Sequence, residues 1–177
     1  MRYSDLPFID KVTENQQLFG DKVISIADAM GILPHWLMVV MNNESGLNSH
    51  IKNPISTATG LIQFMEATAH DLGTTTTALA LMSNVDQLDY VKKYFIKYGY
   101  NSKINNVAET YLAVFFPLAL SKNDDYVFPK WATDANKVFD TNKDSVLTKG
   151  EFVAYVNNKY AAYIPKIAAD NLAEKKK

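Results

Sequence analysis

Three observations predict an all-α fold, or an α-dominated α+β one. Apolar residues recur at three-to-four spacing nearly throughout the 177 residues, the period of helices with one buried face. Proline and glycine stand where helices start and stop, at Pro34, Gly31, Gly73 and Gly99. No two alternating segments flank a short hairpin turn, and no segment repeats itself.

The elements follow in chain order. Residues 7–19 offer Phe8, Val12 and Leu18 as a buried face. DKVISIADAMG, residues 21–31, reads as a helix with Asp21 as N-cap and Gly31 as its stop. PHWLMVVMNNES opens on Pro34 and is apolar enough to be buried on most sides, ending near Glu44 before Ser45, Gly46 and Asn48. Residues 45–58 read as loop, and GLIQFMEATAHDLG, residues 60–73, as a further helix. TTTTALA reads as a cap and the start of another turn or helix. Residues 84–99 carry Leu88, Val91, Tyr94 and Phe95 on one face, with Lys92, Lys93 and Lys97 elsewhere. NVAETYLAVFFPLAL reads as a core helix up to Pro117. The composition changes from Trp131 onward, which divides the chain into 1–125 and a helical extension 126–177 packed on it.

Composition excludes several functions. A hydrophobic fraction of 47% supports an ordinary globular core. With 18 basic and 19 acidic residues there is no basic excess to hold nucleic acid. There is no cysteine, so neither disulfides nor thiol chemistry enters. No apolar run approaches the roughly 20 residues of a membrane span, so membrane insertion is not expected. The opening MRYSDLPFIDKV lacks the apolar stretch of a secretory signal. The closing AEKKK reads as a solvated end. A monomer is expected.

The segment NESGLNSHIKNPISTATGLIQFMEATA, residues 43–69, holds the chemistry. On residue type alone Glu44 is an exposed carboxylate at a helix end, because Asp and Glu are rarely buried. Against an apolar helix it has a second reading. Burial disfavours the charged form, raises the pKa and makes a carboxylic acid able to protonate a leaving oxygen near neutral pH.

The residues around Glu44 decide between these readings. Glu44-Ser45 at a helix end, then TATGLIQF, then Thr68-Ala69, resemble the lytic transglycosylases of the soluble type in the lysozyme-like superfamily. The resemblance covers residues 20–120, with Tyr111 in ETYLAVFFP as counterpart of a tyrosine in a later apolar helix. It departs from the family pattern at Thr57, where glycine is usual, and at Glu66, where proline is frequent. The Asn-Ala-Gly that follows the tyrosine in the family is absent, and the loop before Gly60 is about one residue longer.

The resemblance implies a lysozyme-like helical domain, with Glu44 as general acid and then general base. Substrate contacts fall to Ser45, Ser56, Gly60, Gln63 and Tyr111. Gln63 would read an N-acetyl or hydroxyl group, Ser56 or Thr57 would supply a hydroxyl, and Gly60 would let backbone pass close. Tyr111 reads equally as core packing. No Asp or Glu lies between Ser45 and Glu66, and nothing marks a second catalytic carboxylate. In the resembling family the 6-hydroxyl of the sugar attacks instead. The expected reaction is therefore cleavage of the β-1,4 bond between N-acetylmuramic acid and N-acetylglucosamine of peptidoglycan, leaving 1,6-anhydro ends. A muramidase hydrolysing that bond and a non-catalytic peptidoglycan-binding module stay open as alternatives. Action at the bacterial cell wall without a secretory signal points to a phage or virion-associated enzyme, or to release by another route.

A second motif lies in KVFDTNKDSVLTKGEF, which reads as an EF-hand loop over 140–151 between helices. Asp140, Asn142, Asp144, Thr148 and Glu151 place side-chain oxygens at positions one, three, five, nine and twelve, and Val146 offers its carbonyl at seven. Phe139 and Leu147 are its apolar anchors. Ser145 replaces glycine at the sharp turn. Ca²⁺ is expected here as a structural brace.

Overall fold

The computed structural model describes residues 1–165; the tail AEKKK and the end of the extension lie outside them. The fold is all-α. Among the described residues eight α-helices are joined by loops and short 3₁₀ turns, and the only sheet-like pairs are isolated bridges. The helices are α1 (Gln16–Met30), α2 (Pro34–Ser45), α3 (Glu66–Asp71), α4 (Thr76–Leu81), α5 (Asn84–Lys97), α6 (Val107–Phe115), α7 (Lys130–Ala135) and α8 (Lys149–Tyr160). No single described helix is long and apolar enough to cross a membrane.

Helix α2 is the axle of the core. Every residue from Pro34 to Met41 is buried, as its apolar run demands, and Pro34 occupies the first turn. Gly46 ends it in the left-handed conformation, with its N–H on Asn42 and that of Leu47 on Met41. Helix α1 meets α2 at 118°, α5 lies along α1, and α6 packs on α2.

Helix α1 begins at Gln16, five residues before the expected Asp21 cap. Its buried stripe of Phe19, Val23, Ile26, Ala27 and Met30 is one continuous 3.6-residue pattern, and Phe19 draws the start upstream. Leu18, expected inside, is 64% exposed because it sits one residue off that stripe; Val12 is buried and Phe8 half-buried.

The expected helix over 60–73 is helical only at Glu66–Asp71. Residues 60–63 instead form a turn, with Gly60 at φ +78°, Gln63 at φ +53° and the Gln63 N–H donating to the Gly60 carbonyl. Thr59 and Phe64 pair across it in both directions. Glu66 opens α3 just after this turn. Its carboxylate accepts from the Thr76 N–H at 3.2 Å and from the Thr76 hydroxyl, tying α3 to α4.

The extension joins the same apolar core. Phe115 on α6 stacks parallel on Phe152 of α8 at 5.3 Å, and Phe128 and Phe139 close the cluster. Helix α8 reaches back to α2 through the Tyr160 hydroxyl, which donates to Asn43 Oδ1 at 2.6 Å.

Candidate active site

Glu44 lies on the last turn of α2 and is half-buried. Burial pushes its carboxyl pKa from 4.5 up to about 7, against the pull of a Tyr111 hydroxyl that donates to the carboxylate. No neighbouring carboxylate or cation figures among the causes of that shift, and among the described residues Glu44 makes no ion pair. Tyr111 is held in turn by the aromatic cluster, with Phe152 at 5.6 Å and Phe115 at 6.1 Å. Burial and the nearby Glu44 both raise the Tyr111 pKa, so it stays a donor. An acid that keeps its proton near neutrality, beside one fixed hydroxyl, is suited to protonating a leaving oxygen.

The structure ties the two sequence motifs together through Ser45. Its side chain is buried, and its hydroxyl lies 3.0 Å from the carbonyls of both Met41 and Leu61. The Glu-Ser end of α2 is thereby docked onto the 60–63 turn. Gly60 is required there twice over: by its positive φ, and because a Cβ would stand 2.3 Å from Gln87 Oε1. Gln63 is half-buried and donates its amide to the Gly60 carbonyl at 3.1 Å. Ser56 is exposed and accepts from the Ala58 N–H, while the Thr57 hydroxyl accepts from the Glu66 N–H.

Sequence reasoning missed Gln87. Fully buried on α5, its amide accepts from the Leu61 N–H at 2.9 Å and donates to the Ser49 and Leu79 carbonyls at 2.6 and 2.7 Å. One side chain thus fastens both ends of the 45–61 loop. Its only sequence signal was a polar residue one position before Leu88, within the helical pattern of α5. Also missed was the group of Tyr94, Tyr98 and Tyr100, with ring centroids 5.2–5.6 Å apart; the charge of Glu44 is felt at Tyr94.

The 140–151 loop is a second candidate site. Asp140 Oδ2 accepts from the Ser145 N–H at 2.9 Å, and Glu151 Oε2 accepts from the Thr148 N–H and hydroxyl at 2.9 and 2.8 Å. The other oxygen of each, Asp140 Oδ1 and Glu151 Oε1, is buried without a partner. Ser145 takes φ +67°, as the turn demands. Asn142 and Asp144 accept from the N–H groups of Asp144 and Val146. Among the described residues no three His, Cys, Asp or Glu side chains converge to hold a metal by themselves. A cation here would therefore also draw on Asn142, Thr148 and the Val146 carbonyl.

Comparison with curated proteins gives no match. Residues 21–93 match the family model described as Transglycosylase SLT domain, a span that includes Glu44-Ser45 and the 60–63 turn and ends before Tyr111. That match supports a glycan-cleaving lytic transglycosylase acting on the peptidoglycan of the cell wall.

Proposed function

We propose that the chain cleaves the β-1,4 bond between N-acetylmuramic acid and N-acetylglucosamine with Glu44 as its single acid and base. The carrying observation is a half-buried carboxyl with its pKa at about 7 and no second carboxylate acting on it. In the first step the Glu44 proton passes to the glycosidic oxygen as its bond to C1 of the muramoyl residue breaks. The Glu44 carboxylate then takes the proton of the C6 hydroxyl as O6 bonds to C1. The acid is regenerated, no water is consumed, and the product ends in a 1,6-anhydro ring. Tyr111 holds the carboxyl in place, and Gln63 and Ser56 are the substrate contacts this reading assigns. Gly60 and Ser45 shape the wall. The test is digestion of purified sacculi with the products weighed. Ends lacking one water are expected; hydrated ends would make the enzyme a muramidase.

The 140–151 loop is assigned a structural Ca²⁺, held by Asp140, Asn142, Asp144, Thr148, Glu151 and the Val146 carbonyl. The supporting observation is the pair of buried, unpartnered carboxylate oxygens at its first and last positions, each costly unless it is met. Calcium would supply charge and coordination there and take no part in catalysis. Isothermal titration with Ca²⁺ tests this; one site per chain is expected, and no heat would sink it.

A further inference from the structure

A cavity of about 320 Å³ opens between the Glu44 end of α2 and the C-terminal extension. Glu44 itself does not line it, but Asn43 and Tyr111 do, the first adjoining Glu44 in sequence and the second bonded to it. Tyr155, Lys159 and Tyr160 of α8 form the opposite wall, with Lys137 just ahead of the calcium loop. The lining holds two lysines and no carboxylate, although the chain as a whole carries a formal charge of -1. Among the described residues neither lysine makes an ion pair. The Lys159 ammonium lies 5.6 Å and 5.3 Å from the ring centres of Tyr155 and Tyr160, which restrains it at the cavity wall.

We propose that this cavity is a subsite of the glycan groove in which Lys137 and Lys159 receive a carboxylate carried by the strand. The inference rests on the peptidoglycan-cleaving reading and adds to it a recognition element supplied by the extension, beyond the 21–93 match. Charge fits such a ligand, because a neutral sugar has no use for two cations without ion-pair partners. The carboxylate has two sources on the substrate. It belongs to the lactyl group of a muramoyl residue without peptide, or to the stem peptide where one is attached.

The test uses the Glu44→Gln protein, so that strands stay intact, and measures affinity for three oligosaccharides of equal length. These are peptide-bearing strands, peptide-stripped strands and chitooligosaccharide, which has no carboxylate. At least one carboxylate-bearing strand is expected to bind about tenfold tighter than chitooligosaccharide, the stronger arm identifying the source. Adding Lys137→Gln and Lys159→Gln together should abolish that preference, and arginine at both positions should restore it. An absent preference, or one the glutamine pair leaves intact, overturns the proposal. Cleavage by the wild-type chain is scored separately on the same strands. Uncut strands would sink the enzymatic reading while leaving the lysine result standing.

Discussion

Two carboxylate sites in this chain show opposite treatments of one chemical group. At the end of α2, Glu44 is shielded by apolar neighbours and given a single hydroxyl, so the uncharged acid is favoured. In the 140–151 loop, Asp140 and Glu151 each have one oxygen fixed by local N–H donors and the other buried without a partner. The first environment favours a bound proton; the second leaves two buried acceptor oxygens unmet. Residue type alone does not separate them. What separates them is which donors the backbone brings to the carboxylate, and whether anything is left over.

The largest expected effect breaks the first half of this comparison. Glu44→Gln should lower the release of soluble fragments from sacculi by about 10³-fold, within the range of lost general acid-base catalysis. The same change should not weaken the fold. The folded pKa of about 7 stands above the ordinary 4.5, so the native state binds more protons between those values. That contribution is fully present below pH 4.5 and is lost as pH rises through 7; it is on the order of 3 kcal/mol. Glu44→Gln removes this slope, so at pH 8 the variant should melt no lower than the wild type.

The second prediction sharpens the other half. Saturating Ca²⁺ should raise the melting temperature by roughly 5–10 °C over an EDTA-treated sample, as expected for a ligand at about a hundred times its Kd. Glu151→Gln keeps an acceptor for the Thr148 N–H and should remove most of that response. An unchanged melting temperature would count against calcium.

Gly60→Ala probes the scaffold under the acid. A methyl at φ +78° and 2.3 Å from Gln87 Oε1 should destabilise by roughly 2 kcal/mol, read by chemical denaturation. The smallest effect is expected at Tyr111→Phe. Its hydroxyl favours the charged form of Glu44, so its loss should move the alkaline limb of the pH-rate profile upward. The rate should fall by about tenfold or less.

Much of this site was legible in the sequence because its parts are local. Pro34 and Gly46 bound α2, and Gly60 marks a turn only glycine takes comfortably. Residues 60–73 misled because Leu61, Ile62 and Phe64 keep a helix-like apolar spacing, yet Gly60 and Gln63 at positive φ break the chain into a turn. Gln87 was hidden because a buried polar side chain carries no periodic signal; its three partners lie 8 to 38 residues away. The Tyr160–Asn43 bond spans 117 residues and has no local trace at all, so the cavity it borders could not be foreseen. The Asp140 and Glu151 pattern was readable by spacing, whereas the orphaned oxygens that give it weight depend on burial.

The most direct measurement is a ¹³C NMR titration of the Glu44 carboxyl, assigned by its loss in Glu44→Gln. A midpoint near 7 that moves higher in Tyr111→Phe is the expected result. A midpoint near 4.5 would mean the carboxyl is charged at neutrality and has no proton to give, which contradicts the account.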